Sequence, residues 1–208
     1  MFIKYPRTPH IIGSNPAKGD LNVLVNPIKE GDLVVITEKM DGENTTLYSN
    51  GLQARSLDPR SHASRDWVKG FHAQIKFHIP NNMRICGENL YAKHSIYYTN
   101  LESFFLGFSV WEDAVCLSWE ESLIIFKVLS IPHVPILYTG GYTETVITAL
   151  KIKVLESNME GFVVRKQQAF TYSSFPHNVL KFVRPNHVQE DEDHWFNKPI
   201  IINKRIEK

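Results

Sequence analysis

The sequence predicts an α+β domain of mostly antiparallel strands with a few covering helices, and three observations carry that prediction. Short β-prone apolar runs fill most of the chain, while apolar spacing turns helical in three places, around residues 61–77, 118–129 and 143–155. Ser49-Asn50-Gly51 lies between two β-prone runs, which is the strongest short hairpin signal. No internal repeat, low-complexity linker or long Pro-Ser-Gly hinge divides the 208 residues, so a single domain over 1–208 is expected.

Composition narrows the classes. A hydrophobic content of 43% is that of a globular protein rather than a disordered tail. The formal net charge is +1, so any polyanion site must be a local patch of Lys and Arg. Cys86 and Cys116 stand thirty residues apart in no metal-like spacing and read as reduced thiols in or near a core. Met1 to Pro6 lacks a signal peptide's apolar stretch, and no apolar run approaches membrane length, which points to a cytoplasmic protein.

Residues 1–32 carry several Pro and Gly with short apolar pieces such as Leu21-Asn22-Val23-Leu24-Val25, and predict an irregular lead-in with one or two short strands. Leu33-Val34-Val35-Ile36 opens a strand that runs into Lys39. The hairpin around Asn50-Gly51 follows, and its second strand delivers Arg55. Trp67, Phe71, Ile75 and Phe77 fall near helical spacing, with Ser61 and Ser64 as candidate caps and Pro80 as a stop. Met83 to Leu90 reads as a strand interrupted by Gly87. Phe104 to Trp111 is a β-prone aromatic strand, turned by Asp113 into Ala114 to Leu117. Ser118-Trp119-Glu120-Glu121 has the form of a capping box and starts a second helix that stops near Pro132. Val146, Ile147, Leu150 and Val154 share one face of a third helix. Gly161 to Arg165 and Val179 to Arg184 are strands. Gln189 to Asp193 reads as a solvated acidic loop in a short tail, 186–208.

The chemistry gathers on Glu38-Lys39-Met40-Asp41-Gly42. A lysine held on apolar scaffold beside a second cation can lose its proton far below its free pKa and become a nucleophile. Lys-x-Asp-Gly alone is also an ordinary surface turn. Glu88, Glu160, Arg55 and Lys181 stand in similar strand-like surroundings, Lys181 alternating with apolar Leu180 and Phe182; each taken singly reads as an exposed edge charge, but their joint occurrence with Lys39 is not explained that way.

In order, Lys39-Met40-Asp41-Gly42, Gly87-Glu88-Asn89, Phe104-Phe105-Leu106-Gly107-Phe108, Glu160-Gly161-Phe162-Val163-Val164 and Leu180-Lys181-Phe182 resemble the successive motifs of the covalent nucleotidyltransferase superfamily of RNA ligases, DNA ligases and mRNA capping enzymes. The resemblance covers about 33–185. It is nearest to the phage-type RNA ligase branch, through Arg55-Ser56-Leu57-Asp58 and His94-Ser95-Ile96-Tyr97-Tyr98. It implies a ligase adenylation domain and an ATP-dependent RNA ligase, with Lys39 carrying AMP. Lys181 would bind the α-phosphate and help depress the pKa of Lys39. Glu160 and Glu88 would hold Mg²⁺ or Mn²⁺, or the ribose. Glu38, Asp41 and Gly42 belong with the nucleotide contacts, Asp41 chiefly by ordering its loop. Arg55 would contact the ribose or a phosphate. Phe108, or Phe105 if the register differs, would stack on adenine.

Ser109-Val110 stands where the family often has Asp-Ile, a departure from its pattern. His94 reads either as a nucleotide or RNA contact or as a polar residue beneath a loop. Lys93, Arg165, Lys166 and Arg184 are candidates for an RNA-phosphate track, although scattered cations are usually solvated surface. His177, His187 and His194 have no metal-ligand spacing. Fewer than thirty residues follow Arg184, too few for the OB-fold domain of DNA ligases and capping enzymes. This points to structured or nicked RNA ends, or to a partner protein that presents them. The rival reading is a non-catalytic nucleotide- or RNA-binding module on the same fold.

Overall fold

In the computed structural model, which describes residues 2–14, 21–23, 25–56, 62–185 and 199–207, two antiparallel sheets face each other across a cleft. The chain runs β1 (Leu33–Lys39), β2 (Glu43–Tyr48), β3 (Gly51–Ala54), α1 (Asp66–Ile75), β4 (Met83–Asn89), β5 (Phe105–Glu112) and β6 (Val115–Cys116). It continues through α2 (Trp119–Val128), β7 (Ile136–Gly141), α3 (Glu144–Leu155), β8 (Gly161–Lys166), β9 (Phe170–Thr171) and β10 (Val179–Val183). The first sheet has the order β10-β8-β1-β7 and the second β3-β2-β4-β5-β6-β9.

Strand alternation sorts the first sheet into two faces. Val34, Ile36, Phe162, Val164, Leu180 and Phe182 point away from the cleft and pack with Ile147, Leu150 and Val154 of α3. The alternate residues Val35, Thr37 and Lys39 share the opposite face with their register partners Arg165, Val163 and Gly161, and with Val179 and Lys181. Each fully buried Val, Leu, Ile or Phe stabilises the domain by roughly 1.5–3 kcal/mol, so the register that presents Lys39 is enforced by the core behind it. The second sheet is held the same way, with Leu47, Ile85, Phe105 and Val110 packed against Val68, Ile75 and Phe126.

The Asn-Gly hairpin forms as expected, pairing Tyr48 with Gly51, and the strand before it begins at Glu43. The break at Gly87 is a register shift between Cys86 and Gly87. Ser118 and Glu121 form the reciprocal capping box of α2, and the Thr143 side chain caps α3. Pro132 does not stop α2, which ends at Val128, before Ser130 takes a φ of 52°. Ser64 does not cap α1: it lies in a short 3₁₀ turn whose cap is His62, while Phe77 is 83% exposed. Ser61, Leu57-Asp58, His187, His194 and the acidic 189–193 stretch lie outside the described residues.

Two regions depart from expectation. Ile136–Gly141 is a further edge strand on β1. The lead-in has no strand among its described residues, yet it is not loose. Lys181 donates its peptide N–H to the Pro9 carbonyl and accepts from the Ile11 N–H, both at 2.9 Å, so residues 9–11 line the outer edge of β10. At the other end, Asn203 is 2% exposed and stitches three backbone groups. Its side chain donates to the Leu90 carbonyl at 2.8 Å and accepts from the Tyr98 N–H at 2.9 Å, and its own N–H donates to the Tyr91 carbonyl.

Candidate active site

The cleft between the sheets has a volume of about 740 Å³. Lys39 stands at its centre because β1 ends there and the chain must turn. Gly42 makes that turn possible: a Cβ on it would lie 2.5 Å from the Asn89 carbonyl oxygen. Gly161, opposite Lys39 on β8, is equally constrained, since a Cβ would sit 1.9 Å from the Phe182 carbonyl oxygen. Small residues on both sides let two neighbouring backbones close in around the lysine.

Lys39 Nζ donates to both carboxylate oxygens of Glu160 at 2.6 Å. Burial pulls its pKa down, but the charges of Glu160 and Glu88 and the Glu160 hydrogen bond outweigh that, leaving it above the ordinary lysine value. This reverses the expected depression. The groups that dominate Lys39 in the nucleotide-free chain are carboxylates, not Lys181, and they stabilise the ammonium form. Burial pushes Glu88 up to about 8, with the neighbouring Glu160 charge adding to it and Lys39 opposing it. Glu88 Oε1 also accepts the Gly42 N–H at 3.2 Å. Glu38 is raised as well, again by burial.

Lys181, Glu38, Gly42, Arg55, Glu88 and Phe108 line the cleft with Lys39, and Glu160 reaches it through the lysine. Asp41 does not line it. Its carboxylate accepts the Ser95 and Ile96 N–H groups at 2.7 Å, and its own N–H donates to the Tyr98 hydroxyl at 2.9 Å, so it seats the turn rather than facing a ligand. His94, next to that anchor, does line the cleft. Phe105 is fully buried against α1, whereas Phe108, three residues on and so on the other face of β5, meets Tyr5 edge-on at 5.3 Å.

The supposed phosphate track does not share a surface. Arg165 is 5% exposed inside the cleft, Lys166 pairs with Asp32 at 2.8 Å, and Arg184 donates to the Ser157 carbonyl. Adjacent strand residues point to opposite faces, which separates Arg165 from Lys166. Several cleft residues had no sequence signal. Arg65 forms a fork with Glu43 at 2.7 and 2.5 Å, both side chains nearly buried. Tyr5 and Trp119 complete the wall.

A family model described as RNA ligase matches residues 32–183. A search of curated protein sequences returned no match. Among solved structures, the fold is similar to an archaeal ATP-dependent RNA ligase, with a TM-score of 0.58 at 16% identity, covering 88% of this chain and 48% of that one. It is similar to a Naegleria gruberi RNA ligase with PPi (0.54, 21%, 88% and 61%) and to a putative ATP-dependent DNA ligase from Aquifex aeolicus (0.54, 16%, 88% and 50%). Mutants of the Naegleria enzyme were determined with ATP and Mn and with AMP and Mn. The chain thus spans about half to three-fifths of the lengths of these neighbours. The neighbours establish a fold shared with these ligases, and the family match over most of the sequence shows that this chain belongs to the RNA ligase family.

Proposed function

We propose that the chain is an ATP-dependent RNA ligase that joins a 3′-hydroxyl to a 5′-phosphate through AMP carried on Lys39. The observation that carries this reading is Lys39 in a 740 Å³ cleft, held 2.6 Å from both oxygens of a buried carboxylate. In the first step Lys39 Nζ attacks the α-phosphorus of ATP, a P–N bond forms, the bond to the β-phosphate oxygen breaks and pyrophosphate leaves. The ammonium must first lose a proton, and Glu160 is the acceptor already in contact with it. AMP then passes to an oxygen of the RNA 5′-phosphate, freeing Lys39. The 3′-hydroxyl attacks that phosphate and AMP departs. Each step moves a phosphoryl group, so the protein's task is positioning and charge neutralisation. Lys181 would hold the α-phosphate, Arg55 the ribose or a phosphate, and Phe108 the base.

A divalent cation fits this donor set. Glu88 and Glu160 offer hard carboxylate oxygens. No group of three or more His, Cys, Asp or Glu side chains poised for a metal occurs among the described residues, so phosphate oxygens and water would complete the shell. When bound, Mg²⁺ or Mn²⁺ supplies charge neutralisation at the phosphates, and the Naegleria structures with Mn support such a requirement. The substrate would be RNA ends, presented as a nick or by a partner protein. No described helix is long and apolar enough to cross a membrane, in keeping with work in the cytoplasm.

Incubation with α-labelled ATP or GTP and Mg²⁺, followed by a denaturing gel, tests the reading. A label from ATP that Lys39→Ala abolishes supports it, and a label from GTP points to capping-type chemistry. No label, from a protein of unmodified mass, leaves the non-catalytic binding module.

A further inference from the structure

We infer that the outer face of α2 is a contact with a second copy of this chain, the two α2 helices packing antiparallel about a two-fold axis at Ile124. This does not depend on the chemistry at Lys39.

The sequence of α2 is apolar on two faces, and the chain packs only one of them. Trp119, Ser122 and Phe126 are buried, Phe126 in the core behind the second sheet. On the other side Ile124 is 63% and Val128 76% exposed. Glu120, Glu121 and Lys127 are exposed with them. Spacings of one, three and four residues, at about 100° per residue, keep all five within roughly a third of a turn, so they form one stripe. Val128 also borders a groove of about 210 Å³, lined by Leu129 and by Ile79, Pro80 and Met83. Phe77, two residues before Ile79, stands 83% exposed. An apolar face this continuous marks a contact surface, because a helix apolar all round needs cover on both sides.

The charges on the stripe name the occupant. Glu120 and Glu121 lie in the first turn of α2 and Lys127 in the last. The Ser118 hydroxyl and peptide N–H both donate to Glu121, which holds its carboxyl below its ordinary value and keeps it ionised. In order the stripe is acidic, apolar and basic, and reversed it is its own complement. A copy turned about Ile124 sets Glu121 of each helix opposite Lys127 of the other, with Ile124 against Ile124 between the two pairs. The helix dipoles then run head to tail, which also favours the antiparallel arrangement. A parallel pair would place the acidic turns together and the lysines together. None of the five stripe residues lines the cleft, so the contact and the cleft share no side chain.

Sedimentation of the native chain between about 1 and 200 µM should show a monomer passing into a species of twice its mass. Ile124→Glu should stay monomeric throughout, with an unchanged denaturant midpoint because the side chain is mostly exposed. Lys127→Glu should weaken association about tenfold, since two pairs are lost per dimer, and Glu121→Lys at least as much. Carrying both substitutions in one chain reverses the pairs rather than removing them. The double variant should therefore associate about tenfold more tightly than Glu121→Lys, which lacks the same helix cap. A monomer at every concentration, a dimer that Ile124→Glu leaves intact, or a double variant no tighter than Glu121→Lys would overturn the assignment.

Discussion

The two ends of the cleft treat a buried cation in opposite ways. At one end Lys39 is saturated with negative charge: Glu160 grips it with both oxygens, and Glu88 adds its field. At the other, Arg165 has aromatic faces and backbone carbonyls but no carboxylate among the described residues. A flexible ammonium with a strong partner can exchange it, for a phosphate or a proton acceptor, which suits a group that must react. A rigid guanidinium held between backbone carbonyls and aromatic faces stays put. Two cations on one face of the same sheet are thus held by opposite means.

The comparison can be broken first at the reacting end. Lys39→Ala should abolish the labelled adduct and, by stranding Glu160, destabilise the fold by about 3 kcal/mol, measured by denaturant unfolding. Gly161→Ala forces a Cβ against the Phe182 carbonyl and should cost about 3 kcal/mol, with poor recovery of folded protein as the readout. Asn203→Ala leaves the Leu90 carbonyl and the Tyr98 N–H without partners; about 2 kcal/mol of stability and slower adduct formation should be lost together. Ser109→Asp would sharpen the contrast by supplying the missing acid. Ser109 and Arg165 both act on the Tyr5 hydroxyl, so the new carboxylate should meet the buried Nη1 of Arg165 and raise stability by about 1 kcal/mol, read by denaturant unfolding.

The smallest effect is a pH dependence. Glu88 titrates near 8 in the folded chain against 4.5 unfolded, so the fold binds its proton more tightly. The stability this contributes is fully present below 4.5 and is lost as pH rises towards 8. The nucleotide-free chain should therefore melt lower at pH 8 than at pH 5, on the order of 3 °C, and Glu88→Gln should flatten that slope.

The Lys39 end was the more legible: Lys39, Glu88 and Glu160 stand at or near strand ends close to glycines, Lys181 alternates with apolar Leu180 and Phe182, and the structure brings the four to one cleft. Even there, the protonation of Lys39 was misjudged, since which charge lies nearest depends on the packing of β8 against β1 and not on spacing. The Arg165 end was not legible. Arg165 and Lys166 look alike in sequence, and when both faces of a sheet are covered, alternation does not say which cation goes inside. Phe105 and Phe108 were left open for the same reason; Phe105 packs under α1, while Phe108 lines the cleft. The edge strand β7 escaped because Ile-Leu-Tyr-Thr-Gly-Gly is mostly half-exposed and ends in glycines, which weakens any strand signal. Residues 9–11 are held only by backbone bonds to β10, which leave no side-chain pattern to read.

The seam made by residues 199–206 has a consequence for the order of folding. Its bonds to Leu90, Tyr91, Lys93, Tyr98 and Leu101 span about a hundred positions, and Tyr98 in turn steadies the peptide of Asp41. Contacts this distant in sequence close late, after the loop entropy has been lost elsewhere. A chain that has reached residue 185 therefore carries every described strand of both sheets while the turn at Asp41, beside Lys39, still lacks the brace that Asn203 gives it through Tyr98.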